Sequence, residues 1–162
     1  MIGATVKKID WKNLSYYDFI GIVAVTAILL FVLYFGWLWH ATYDYRIQMR
    51  DQMVEMYQQL PNPIPPIEDD YGVHKRWLVY CVTGTREFNR DLKDNEFDLY
   101  GEKLVEQGWQ IDKKYTDSNQ YGKSTSIVLR KGDFLFEITR WEGKKICRFY
   151  LIKRDWIYNK GF

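Results

Sequence analysis

From Phe19 to Trp39 the chain runs for 21 residues without a charged side chain, FIGIVAVTAILLFVLYFGWLW. At a rise of 1.5 Å per residue, a helix of about 20 such residues matches the roughly 30 Å hydrocarbon core of a bilayer. An all-round apolar helix of that length is hard to bury in a small domain. The run therefore predicts a transmembrane helix over residues 18–40, preceded by a short segment, 1–17. Tyr16 and Tyr17 stand before it, and Trp37, Trp39, Tyr43 and Tyr45 stand at or beyond its end, the amphipathic rings expected at a membrane interface. Phe19, Trp37 and Trp39 are its candidate anchoring residues. The run is longer than the apolar region of a cleaved signal and closes on GWLWHATY, not on small residues, which predicts an uncleaved anchor. It holds no ionisable residue to suggest an ion or proton path, and no GxxxG to suggest tight helix pairing.

The rhythm then changes to spacings of three and four. In ATYDYRIQMRDQMVEMYQQL, residues 41–60, an apolar stripe of Met49, Met53, Met56, Tyr57 and Leu60 predicts a helical extension. Such a stripe needs a cover, either a partner such as a second copy or a neighbouring helix, or the chain's own domain. Met49, Met53 and Met56 are therefore candidate partner-binding residues. All four prolines follow within residues 61–73. Pro61 stops a helix, and Ile64-Pro65-Pro66 holds the backbone extended, which predicts a semi-rigid spacer.

Beyond the spacer, alternation dominates. HKRWLVYCVTG, 74–84, reads as a central strand with Trp77, Val79 and Cys81 on one face and Leu78, Tyr80 and Val82 on the other. A helical pattern follows, its main part predicted over 95–107, with Thr85 a possible N-cap and Gly108 a C-cap. WQIDKKY reads as a strand and TDSNQYGKS as an exposed loop. Strands at about 124–130, 134–141 and 145–153 turn at Gly132-Asp133 and Glu142-Gly143. Residues 74–162 thus predict an extracytoplasmic α+β domain, a mostly antiparallel sheet of four to five strands with one main helix on one face.

Charge and composition refine this picture. Residues 74–162 hold 18 Lys/Arg and 13 Asp/Glu, whereas the first 73 hold 5 and 8. Lys7, Lys8 and Lys12 before the span against Arg46 and Arg50 after it favour an N-terminus inside and the domain outside, periplasmic if the source is bacterial. An aromatic content of 18% suits a membrane-associated chain. Cys81 and Cys147, on the first and last strands of the domain, form a candidate disulfide if those strands are neighbours; the alternative is two buried thiols.

The search for chemistry yields no catalytic, cofactor-binding or metal-ligating set. His40 and His74 stand apart, Ser118, Ser124 and Ser126 lack a nucleophile motif, and Gly122-Lys123-Ser124 lacks the upstream glycine of a phosphate loop. RKGDFLFEI, 130–138, has basic and aromatic residues in the manner of an RNA-binding strand. Asp133 and Phe134 break that pattern, and Phe134, Phe136 and Ile138 read as a core-facing set, so no nucleic acid is expected. Lys153, Arg154, Trp156 and Tyr158 make the tail a candidate partner contact if it does not pack back on its own domain. The expectation is a single-pass membrane protein that contacts the bilayer and other envelope proteins, itself included, as an accessory subunit of a larger assembly of secretion, pilus or conjugation type. A tethered sensor or small-ligand module is the alternative from another class, and a membrane-bound enzyme the third.

Overall fold

The computed structural model describes residues 15–120 and 122–161. They fall into two units, one ending at Thr42 and one beginning at Tyr43. Lys7, Lys8 and Lys12, on which the expected orientation rests, and Phe162 of the tail lie outside the described residues.

The first unit is helix α1, Tyr16–Ala41, 26 residues long and apolar enough to cross a membrane. Asp18 accepts a hydrogen bond from the Ser15 backbone N–H at 3.2 Å, fixing the first turn where a carboxylate also suits the helix dipole. Most of its apolar side chains are exposed, Phe31 and Leu33 by about two thirds, with Leu38 the buried one. Water would penalise that arrangement and a hydrocarbon environment would not.

The second unit is an α+β domain. Its elements are α2 (Tyr43–Gln58), β1 (Glu68–Arg76), β2 (Val79–Glu87), α3 (Asp94–Glu106), β3 (Gln110–Asn119), β4 (Gly122–Lys131), β5 (Phe134–Trp141), β6 (Ile146–Lys153) and a single turn, α4 (Trp156–Asn159). The strands form one six-stranded antiparallel sheet in the order β1-β2-β6-β5-β4-β3. Strand alternation puts Val82, Cys147, Phe149, Leu151, Phe136, Ile138, Ile127 and Leu129 on one face. Met49, Met53 and Tyr57 of α2 and Phe97, Tyr100 and Leu104 of α3 bury themselves against that same face. The core is strongly aromatic: Tyr100 and Phe136 each stack or edge against Phe149 at about 6 Å.

Several boundaries differ from expectation, each for a physical reason. Of the two covers expected for the Met stripe, a partner or the chain's own domain, the structure has the second. Met49 and Met53 are fully buried in the domain core, and Met56 packs against it, so the domain starts at Tyr43 and not at His74. The proline run is not a spacer holding two bodies apart. Its carbonyls are pinned to the domain: Arg86 Nη1 donates to Pro61 O at 3.1 Å, and Tyr100 Oη donates to Ile64 O at 3.2 Å. Proline lacks the N–H a sheet or helix would demand, so the segment can cross the end of the core using its carbonyls alone. Residues 68–73, assigned to that spacer, are strand β1.

The single strand expected over 74–84 is two strands of a hairpin, turning at Trp77-Leu78. Trp77 takes a left-handed φ of +54°, which a bulky side chain seldom adopts, and no Gly or Asn marks the turn. Thr85 lies within β2, and Lys93 occupies the N-cap position of α3. The loop expected over 116–124 is mostly strand, with β3 running to Asn119 and β4 restarting at Gly122. Gly108 closes α3 at φ +88°, as its position predicted.

Gly84 is glycine for space, not for backbone freedom. A Cβ there would lie 1.8 Å from Tyr57 Oη and 2.3 Å from its Cζ. The tyrosine is buried in the core, so its ring has nowhere to retreat. Gly84→Ala is expected to destabilise the domain by about 2 kcal/mol, the usual scale of overpacking. Adding Tyr57→Ala to it should cost less than the sum of the two single changes, measured by denaturant unfolding of the detergent-solubilised chain.

Candidate interaction surface

Because α2 and α3 cover the same face, neither packs over the opposite one. Register places four cross-strand rows on it. Thr83, Tyr150, Glu137 and Val128 form one, and Thr85, Arg148, Thr139, Ser126 and Tyr115 the next. Cys81, Ile152, Leu135 and Arg130 lie toward one end of the sheet, and Ser124 and Trp141 toward the other. The signal for this face was present in the sequence: once Phe134, Phe136 and Ile138 are set inward, Glu137, Thr139 and Trp141 must point the other way.

The face is ordered by side-chain hydrogen bonds. Tyr115 Oη donates to Glu137 Oε1 at 2.6 Å, and the Ser126 and Thr139 hydroxyls share a bond of 2.7 Å. The Glu137 carboxylate raises the Tyr115 phenol above its ordinary pKa, so it stays a donor. Lys113 Nζ lies 4.8 Å from the Tyr115 ring centroid. Beside this network Glu137, Thr139, Trp141, Arg148 and Tyr150 line a depression of about 210 Å³. Aromatic rings with one arginine and one carboxylate, half-exposed on a rigid sheet, are the composition that protein contacts favour.

The two sheet edges are less inviting. β1 carries Glu68, Asp69, Asp70, Lys75 and Arg76 along its exposed length. β3 carries Lys113, Lys114 and Asp117 and shifts register at Asp112. Charges and a bulge of this kind discourage addition of another strand.

A larger cleft, about 500 Å³, lies where the start of α3 meets the ends of β4 and β5. Lys93, Lys114, Lys123 and Arg140 face Asp91, Asp94 and Glu142 there. Its charges are largely paired: Lys114 with Asp98 at 2.5 Å, Lys123 with Glu142 at 3.5 Å, and Arg140 with Asp94. Arg140 also donates to the Leu92 carbonyl and lies over the Phe97 ring, so it clamps the loop before α3 to the sheet. On the rim Arg90 and Lys93 hold the Glu96 carboxylate down at about 2, chiefly through the Arg90 hydrogen bond. Among the described residues no group of three His, Cys, Asp or Glu is placed to hold a metal ion.

Phe19, Trp37 and Trp39 lie on α1 with exposed rings. The tail folds back onto the domain through α4: Ile157 is fully buried, while Trp156 and Arg154 stay exposed and Lys153 and Tyr158 are half-covered. Cys81 and Cys147 do lie on adjacent strands, but the bridge does not form. Cys81 pairs with Ile152 and Cys147 with Arg86, which sets them on opposite faces and five residues apart along the sheet, roughly 17 Å at the usual strand rise. Burial pushes the Cys147 thiol up to about 12 and raises Cys81 less, where the Tyr150 hydroxyl and Arg148 partly oppose the shift. A thiol-alkylating reagent at pH 8 is expected to modify Cys81 first and Cys147 only on unfolding, with peptide mass mapping as the measurement.

No family model matches the chain, and no curated protein or solved structure is significantly similar to it.

Proposed function

We propose that this chain is a single-pass, membrane-anchored accessory subunit of a larger cell-envelope assembly, working through protein contacts of its α+β domain. The observation that carries the reading is the pairing of one uncovered apolar helix, α1, with a domain that puts both main helices on one sheet face and leaves an ordered, aromatic and charged face open. In this reading α1 supplies location, and tethering raises the domain's local concentration for a partner in the same membrane. In the same reading the domain lies on the outer side, periplasmic in a bacterium, which the bias of Lys7, Lys8 and Lys12 over Arg46 and Arg50 favours. The process served, of secretion, pilus or conjugation type, is inferred from architecture alone.

A photo-crosslinking side chain at Arg148, on the open face, tests this in intact membranes. The expected result is one adduct of defined mass that is absent when the probe replaces Glu102, which is exposed on α3. Recovery of the uncrosslinked chain alone from the Arg148 position would defeat the reading. Orientation is read separately, from protease access to the domain in sealed cells against inverted vesicles. One observation favours a second reading, a ligand-binding module: the 500 Å³ cleft beside Arg140 has the size of a small-molecule site. Saturable thermal stabilisation by a small polar metabolite, lost on Lys114→Gln, would support that reading instead.

A further inference from the structure

We propose that the end of the domain where α2 begins is a contact surface for anionic lipid headgroups. The inference rests on the reading that α1 crosses a bilayer. Tyr45 stands four residues beyond Ala41, the last residue of α1, a path of roughly 14 Å at full extension. Whatever is fixed to Tyr45 is therefore held near the end of the anchor by the covalent chain itself.

What is fixed to Tyr45 is α4. Asp155 Oδ2 accepts from Tyr45 Oη at 2.5 Å, while its Oδ1 accepts from the backbone N–H groups of Ile157 and Tyr158 at 2.9 and 3.2 Å. This buried carboxylate thus caps α4 and ties it to the first turn of α2. Ile157 plugs into the domain, and that choice of inward residue turns its neighbours outward. Trp156 is 47% exposed with Lys160 Nζ 5.4 Å from its ring, and Lys153 Nζ lies 5.2 Å from the Tyr45 ring.

The β1–β2 turn lies at the same end of the sheet, because the start of β2 pairs with the end of β6. Its Trp77 is 64% exposed in the left-handed conformation already described, next to Arg76. A bulky residue in that conformation costs free energy, and its indole is largely exposed. Indole rings interleaved with Arg76, Lys153, Arg154 and Lys160 are the composition that partitions to a headgroup layer, rings at the glycerol level and cations on phosphate. Asp44, beside Tyr45, Asp133, in the turn before β5, and Asp112, paired with Arg130 at the start of β3, also stand at this end, and the cations outnumber them.

The test uses the full chain reconstituted in nanodiscs of phosphatidylcholine alone and of phosphatidylcholine with phosphatidylglycerol, followed by hydrogen exchange and mass spectrometry. Peptides covering 75–78 and 153–160 are expected to exchange about tenfold more slowly with the anionic lipid, the protection being lost in high salt and in a Lys153→Gln/Arg154→Gln/Lys160→Gln variant. Peptides of α1 serve as the internal control. If α1 is protected in both lipids but 75–78 and 153–160 exchange alike in both, the headgroup contact is overturned and the anchor stands. If α1 itself exchanges freely in both, the membrane reading fails first.

Discussion

A chain beginning at His74 is expected not to fold, while one beginning at Tyr43 keeps a single cooperative unfolding transition. The shorter chain loses Met49, Met53, Tyr57 and Leu60, four side chains buried in the core, together with the proline segment and most of β1. At about 2 kcal/mol for each buried side chain, that alone removes roughly 8 kcal/mol from a fold whose whole stability is of order 5–15 kcal/mol. It also bares Val82, Phe149 and Leu151 along the middle of the sheet. Near-ultraviolet circular dichroism and denaturant unfolding separate the outcomes: the longer chain should show a sharp transition, the shorter a broad one with dye-binding apolar surface. A cooperative transition in the shorter chain would mean that α2 is an attachment to the core and no part of it.

Arg86→Ala is the single substitution expected to cost most, about 3 kcal/mol. Arg86 is only 2% exposed, lies 4.6 Å from the Phe149 ring centroid, and donates through Nε to Asp69 Oδ2 at 2.9 Å and through Nη1 to Pro61 O. Removing it strands a carboxylate, orphans a carbonyl and opens a cavity at once. The figure sits at the low end for a broken buried pair because Asp69 is 32% exposed and can reach water. In a unit of this size the midpoint of thermal unfolding should fall by roughly 10 °C. Asp69→Asn should cost less, and the double change should fall short of the sum, since the two share one bond. Tyr57 would feel both changes: it donates to Asp69 Oδ1 at 3.1 Å, and burial first, then that carboxylate, raises its phenol pKa.

The elements whose rhythm is local were legible before the structure. The uncharged run of α1, the alternation of β5 and β6, the helix ending at Gly108 and the turns at Gly132 and Gly143 each follow from neighbours in sequence. The errors fall where the deciding contact is distant. Nothing within residues 41–60 says whether Met49 and Met53 meet another chain or the core that holds Phe149, a hundred residues on. Proline content marked the 61–66 segment as extended, but only Arg86 and Tyr100 make it a strap. The turn at Trp77 carries no turn residue, because buried Leu78 and the β1–β2 register impose it. Aromatic content misled in a similar way. It reads as a membrane signal, yet Tyr57, Phe88, Phe97, Tyr100, Trp109, Phe136 and Phe149 fill the core of the domain. The open face was half legible: its residues follow from the core-facing set, but that both helices choose the other side does not.

The strand order has a consequence for how the molecule is made. β2 pairs with β6, partners separated by roughly 60–70 residues, and that pair lies inside the sheet between the β1 hairpin and the β3–β5 meander. As the polypeptide emerges from the ribosome, the β1–β2 hairpin and the β3–β5 meander can form on their own, but no strand pairing joins them until β6 has left the exit tunnel. A nascent chain stopped at Lys145 would hold two unjoined flaps with half a core between them. The sheet therefore closes in one late step, after synthesis of β6, and loss of that strand would be felt across the whole domain.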